Sequence, residues 1–169
     1  MTDDTLKFLR GLRAVREYTP EPVADETLQQ ILEVGRWTST GGNRQPQEVL
    51  VVTDPDVRQK FAEWGAKPAA AAPVALLLIS ASEQSAFDEG RVAERFALAA
   101  RALGLGSVIA TLKNDGPEQA KTLLGIPTDR RARTLVAIGH TDAEARKALP
   151  KQGAAARKPL AEFAHFNTY

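Results

Sequence analysis

Thr38-Ser39-Thr40-Gly41-Gly42-Asn43-Arg44-Gln45-Pro46-Gln47 fits neither a helix nor a strand, yet it joins an amphipathic helical segment to an apolar strand. Glycine lets the backbone approach another surface closely, and Asn and Gln each carry a donor and an acceptor on one side chain. That density of hydrogen-bonding groups suits the edge of a planar heterocycle, or its polyol tail. It also suits a solvated helix-to-strand connector. The residues of the loop alone leave both readings open.

Upstream of the loop, Asp25 reads as a helix cap, and Leu28, Ile31, Leu32 and Gly35 recur at the spacing of one buried helical face. Before that, a first helix is expected over Thr5 to Ala14. It ends where Tyr18-Thr19-Pro20-Glu21-Pro22 forces an extended exit.

Downstream, Glu48 to Thr53 reads as a strand. Asp54-Pro55 then starts a helix with a capping carboxylate and a proline at the first helical position; its stripe is Val57, Phe61 and Trp64. After Pro73, Val74 to Ser80 is a short, wholly apolar run and reads as a buried strand. A long helix is expected from about Phe87 to Leu103, with an alanine side (Ala93, Ala97, Ala100) and a second row of Val92, Phe96, Ala99 and Leu103. Two apolar faces fit either a central buried helix or a helix that meets a second subunit.

Gly104 to Ser107 stops this helix before a strand from Val108 to Thr111. Pro117 opens another helix that Gly125 closes. Thr134 to Gly139 is the last clear strand. Residues 143 to 158 are poor in core side chains, and Leu160, Phe163, Phe166 and Tyr169 form an apolar tail that needs a surface to cover. Strands and helices mix without strict alternation. Neither a dinucleotide-binding glycine fingerprint after a strand nor a phosphate loop is present, so a three-layer α+β domain fits best.

The 169 residues carry 22 basic and 21 acidic side chains, a net charge of +1, which gives no footprint for nucleic acid or an anionic membrane. Phosphate recognition must therefore be local. The absence of cysteine excludes disulfides, thiolate nucleophiles and thiolate metal centres, and a count of two histidines argues against a histidine-rich metal site. The first residues have no leader character, and the longest apolar run falls well short of the roughly 18–20 residues that span a bilayer. A cytoplasmic protein is expected.

Two basic pairs stand out: Arg13 with Arg16, on one side of the end of the first helix, and Arg157 with Lys158 at the start of the apolar tail. Apart, each pair reads as solvated surface. Together, they would cradle one phosphate dianion.

The ordered set of Arg13-Ala14-Val15-Arg16-Glu17-Tyr18, the Ser39-to-Pro46 loop, Ala72-Pro73, the run Ala97 to Ser107, Gly125-Ile126-Pro127 and Arg157-Lys158-Pro159-Leu160 resembles the FMN-dependent nitroreductase superfamily. The resemblance runs from about Leu9 to the C-terminus. It implies a three-layer nitroreductase-like α+β fold, an antiparallel-dominated mixed sheet flanked by helices, in one domain over residues 1–169. It further implies an interlocked homodimer with two FMN molecules at the interface, residues 143–169 embracing the partner subunit.

By position, the resemblance gives Arg13 and Arg16 the flavin phosphate, ribityl chain and ring oxygen. It makes Gly41, Asn43 and Gln45 the wall laid against the partner's flavin. Ile109, Ala110 and Thr111 become the strand end at the pyrimidine edge and N5, and Arg157 and Lys158 the phosphate cradle. Lys67 is a second candidate, beside Arg16, for the cation near N1 and O2. Leu12 and Ala14 replace the first and third members of the usual Arg-Arg-Ser, and Gln47 stands where Trp is common. The short stretch from Ser80 to Phe87 leaves a reduced roof.

The implied activity is hydride transfer from NADH or NADPH through FMN to a nitroaromatic or quinone acceptor, by a ping-pong mechanism with no obligatory catalytic side chain and no metal. His140 is read as a strand-end residue. Two alternatives accompany this reading: another flavin reaction on the same scaffold (oxidase, dehalogenase or ene-type reductase), or a non-catalytic flavin-binding protein.

Overall fold

Alternation along one strand builds both cores. In the computed structural model, which describes residues 2–82, 85–148 and 157–168, Val74–Ser80 (β2) pairs antiparallel with Thr134–Gly139 (β4). Successive side chains of a strand point to opposite faces. Ala75 and Leu77 of β2, with Leu135 and Ala137 of β4, therefore face one core, and Val74, Leu76 and Leu78, with Val136 and Ile138, face the other. Leu77 stands opposite Leu135, and Leu76 opposite Val136, so each facing pair serves the same core.

Gln47–Val52 (β1) pairs with the outer edge of β2, and Gly106–Thr111 (β3) with the outer edge of β4. The order is β1-β2-β4-β3, antiparallel at every ladder. A parallel bridge from Ala14 to Ser107 adds the mixed character.

One face is covered by Pro55–Glu63 (α3), Pro68–Ala71 (α4) and Gly116–Leu124 (α6), with Phe61 fully buried at its centre. The other is covered by Asp25–Arg36 (α2) and Ala86–Ala102 (α5), centred on Ile31 and Phe96. Helices on both faces of one sheet make three layers. Thr2–Arg10 (α1) precedes this body, and Ala143–Ala148 (α7) and Leu160–Phe163 (α8) follow it.

Several local expectations hold. Asp54 caps α3, accepting from the amides of Asp56 (2.8 Å) and Val57 (3.2 Å). Gly125 closes α6 at φ 66°, a left-handed turn that costs a residue with a Cβ. Gly35 does lie on the buried face of α2, and a Cβ there would come within 2.0 Å of the Phe96 ring, so its lack of a side chain sets the approach of α2 to α5.

Other expectations are corrected. Asp25 is not the cap of α2: Ala24 occupies that position and Asp25 is the first helical residue, where its charge complements the helix dipole. The first helix ends at Arg10 rather than Ala14, because the chain after Gly11 is drawn onto the edge of the sheet. Most of both apolar rows of α5 finds cover in its own protomer: Val92, Ala93, Phe96, Ala99 and Ala100 join the core shared with α2 and the sheet, whereas Ala97 lines a cavity beside β3 and Leu103, at the helix end, is exposed. The tail does lack cover. Leu160, Phe163 and Phe166 are each more than two-thirds exposed, and Tyr169 lies outside the described residues. None of the helices among the described residues is long and apolar enough to cross a membrane.

Candidate functional site

The segment that leaves α1 is tied down in a fixed order. Gly11 N–H bonds to the carbonyls of Lys7 (2.9 Å) and Phe8 (3.1 Å), closing the helix. Val15 N–H then donates to Ser107 O at 2.8 Å, so Arg13, Ala14 and Arg16 run alongside the start of β3. Tyr18 anchors the far end, its hydroxyl donating to Val15 O (2.5 Å) and reaching Ala137 O (3.2 Å). Burial pushes that phenol well above its usual range, so it stays protonated and donating. From α7, Arg146 donates to Ala14 O at 3.2 Å and lies 3.7 Å from the Glu17 carboxylate.

This anchoring frames a cavity of about 720 Å³. Four guanidinium residues line it: Arg10 from the end of α1, Arg13 and Arg16 from the extended segment, and Arg157 from the tail. The opposite wall is Glu94 and Ala97 on α5, and the floor is β3 from Ser107 to Ile109. The volume lies within the range of about 300–1,000 Å³ typical of sites for organic ligands.

The charges are not internally neutralised. Arg13 spends both hydrogens of Nη1 on the carbonyls of Arg10 (2.7 Å) and Leu12 (2.8 Å). The side chains of Arg10, Arg16, Arg157 and Glu94 have no hydrogen-bond or salt-bridge partner among the described residues. A concave surface with an excess of unpaired cations favours an anion, and guanidinium forks suit phosphate best. The residues present therefore fit a phosphorylated ligand with an extended organic body.

The Thr38-to-Gln47 loop forms a separate feature. Its base is clamped by α5: Arg91 donates to the carbonyl (2.5 Å) and hydroxyl (2.7 Å) oxygens of Ser39, and Arg95 to Trp37 O (3.3 Å). Its tip is a short 3₁₀ turn over Gly41–Asn43, exposed in the protomer, with Gly42, Asn43 and Gln45 in left-handed conformations (φ 59°, 54° and 47°). For Gln45 that conformation is uncommon and costs energy. The Gln45 amide gains Thr40 Oγ1 at 3.0 Å in return. Beneath the loop lies a smaller cavity of about 240 Å³, into which Thr38 and Gln47 face.

Of the residues singled out from sequence, Arg13, Arg16, Ile109 and Arg157 meet at the large cavity. Arg13 and Arg16 do so from extended backbone, not from one side of a helix end as expected. Ala110 and Thr111 continue β3 beyond its lining, and the Lys158 ammonium lies over the Phe163 ring at 5.8 Å. Lys67 sits at the start of α4, outside the lining. Gly41, Asn43 and Gln45 do not reach the cavity of their own protomer. His140 directly follows β4, as read, 3.7 Å from Glu21.

Sequence reading missed Arg10 and Glu94. Signals existed: Arg10 is three residues before Arg13, and Glu94 and Ala97 share a face of α5 at helical spacing.

A helix-clad antiparallel sheet with a basic cavity at one edge defines an α+β protein built to hold an anionic organic ligand. The family model for the nitroreductase family matches residues 9–92. The chain is 26% identical over 161 residues to the NADPH-flavin oxidoreductase of Vibrio harveyi, covering 83% of this chain and 67% of that protein. It is 29% identical over 172 residues to the FMN reductase [NAD(P)H] of Bacillus subtilis, covering 86% and 69%. The fold superimposes on a hypothetical oxidoreductase of Bacillus subtilis, YcnD, with a TM-score of 0.83 at 27% identity, over 98% of this chain and 74% of that one. The sequence match and the shared fold together support membership of the nitroreductase superfamily.

Proposed function

We propose that this chain is an FMN-dependent NAD(P)H oxidoreductase, one domain over residues 1–169, that passes reducing equivalents to nitroaromatic, quinone or similar acceptors in the cytoplasm. The observation that carries this reading is the cavity of about 720 Å³ with four arginines at the sheet edge. The names of the flavin-reducing relatives support it.

When bound, FMN supplies the hydride chemistry, and the protein supplies binding, orientation and electrostatics. Arg13 and Arg157 hold the phosphate through charge-assisted hydrogen bonds, with Lys158 beside them. Arg16, fixed on the bridge that Val15 makes to Ser107, stabilises the negative charge that develops on the ring during reduction. On edge strand β3, Ile109 lines the cavity, and with Ala110 and Thr111 beyond it would hold the polar rim of the ring.

The second wall comes from a partner subunit. Gly41, Asn43 and Gln45 are exposed and lie outside the lining of the large cavity, and the exposed apolar tail within residues 143–169 embraces the same partner. NAD(P)⁺ leaves before the acceptor enters, and solvent supplies protons.

Purification tests this directly. A yellow protein whose flavin absorbance bleaches on anaerobic addition of NADH or NADPH, and recovers on addition of a quinone, is the expected result. A protein that cannot be reconstituted with FMN refutes the reading. One that binds FMN without bleaching points instead to a flavin-binding protein, a reading that Leu12 and Ala14 favour, since they supply neither a guanidinium nor a hydroxyl.

A further inference from the structure

Arg10 is one of three cavity cations left without a partner among the described residues. It ends α1, lines the cavity beside Leu12 and Arg13, and its guanidinium has no hydrogen-bond or salt-bridge partner among the described residues. Arg13, by contrast, has turned one amino group back to cap the carbonyls of Arg10 and Leu12 at 2.7 and 2.8 Å, so only part of its fork can meet a ligand. Leu12, which shares the lining, contributes no donor at all.

The backbone explains why Arg10 can serve. Gly11 closes the helix, so the residue before it sits at the helix's C-terminal end, where a cation is favoured. The chain that follows carries Arg13 and Arg16 past the same opening, so Arg10 and Arg16 line the cavity with unspent donors while Arg13 is half engaged with its own backbone.

We infer that Arg10 is a phosphate-binding residue of this chain, supplying from the end of α1 the guanidinium donors that Leu12 lacks and Arg13 has spent on its own backbone. This rests on the flavin reading above and extends it to a residue outside the basic pair. Arg10 acts on the phosphate alone, not on the ring. Its removal therefore separates ligands that carry a phosphate from those that do not.

The test is titration of flavin-free protein with FMN and with riboflavin, followed by flavin fluorescence, for the wild type, Arg10→Ala, Arg10→Lys and Arg10→Ala with Leu12→Arg. Arg10→Ala should weaken FMN at least tenfold and riboflavin less than threefold. Arg10→Lys should recover part of the loss, because it keeps the charge and loses the fork. Leu12→Arg should restore FMN affinity in the Arg10→Ala background. An unchanged ratio of FMN to riboflavin affinity in Arg10→Ala overturns the assignment while leaving the flavin reading intact. Equal loss of both ligands also overturns it, assigning Arg10 to the shape of the helix end. A wild-type protein that takes up neither flavin overturns the flavin reading, and this assignment with it.

Discussion

Arginine plays opposite parts at two places in this molecule. Where β2 ends, Arg131 is 11% exposed and lies 2.8 Å from the Glu89 carboxylate, itself 2% exposed. The Ser80 hydroxyl also donates to that carboxylate, and the backbones of Ser80 and Arg131 exchange bonds of 3.0 and 2.9 Å. Every charge there is answered within the chain. At the cavity beside β3, Arg10, Arg16 and Arg157 have no such partner among the described residues, and the carboxylate of Glu94 stands apart from them. Water screens those exposed groups, so the fold does not need them neutralised. A paired buried cation is part of the scaffold; an unpaired one in a concavity is available to a ligand.

The sharpest way to break this contrast is to remove one half of the buried set. Glu89→Ala removes the buried carboxylate that Ser80 and Arg131 share and should cost about 3–5 kcal/mol in chemical denaturation. Any folded fraction should keep its flavin affinity, since Glu89 lies outside the cavity lining. A loss below about 1 kcal/mol, or a selective loss of FMN, would merge the two regions.

The converse experiment is next in size. Arg13→Ala and Arg157→Ala should each weaken FMN binding more than tenfold, because a charge-assisted contact contributes about 1.5–3 kcal/mol. For Arg157, whose guanidinium has no partner among the described residues, unfolding stability should change by no more than about 0.5 kcal/mol. FMN affinity should also fall as salt is raised, whereas the cost of Glu89→Ala should respond far less. Unchanged FMN affinity in both arginine variants would refute the cradle.

The same contrast explains what the sequence could disclose. Strands β2 and β4 begin and end where the apolar runs do, because a strand buried on both faces has no polar residue to spare. Asp54 and Gly125 were legible because capping chemistry is local. The end of α1 was not, since Leu12 to Ala14 are acceptable helix formers and the bond from Val15 to Ser107 that draws them away spans the chain. Arg10 left only its spacing of three from Arg13 as a signal: its lack of a partner among the described residues shows only in the tertiary structure. The sequence did mark Arg13, Arg16 and Arg157, whose types and order suit phosphate. It could not tell them from Arg131, which the fold pairs with Glu89 across 42 residues.

Glu33 supplies the intermediate case, a charge paired on an open surface, and the smallest expected effect. It accepts from Arg36 Nε (2.8 Å) and Nη2 (2.6 Å) and from Trp37 Nε1 (2.6 Å), all within one turn at the end of α2. The Arg36 hydrogen bonds, then that of Trp37, lower its carboxyl from 4.5 to about 2. A group whose folded value is depressed stabilises the native state above its unfolded value and loses that contribution as pH falls through the folded one. Thermal unfolding of wild type and Glu33→Gln should therefore differ at pH 6 and converge between about pH 4.5 and pH 2. Because the pair is fully exposed, the difference should be small and should shrink further in high salt. A gap that persists at pH 2, or one that rivals the loss in Glu89→Ala, would show that exposure does not set the worth of these charges, and the contrast between the two arginine regions would need another cause.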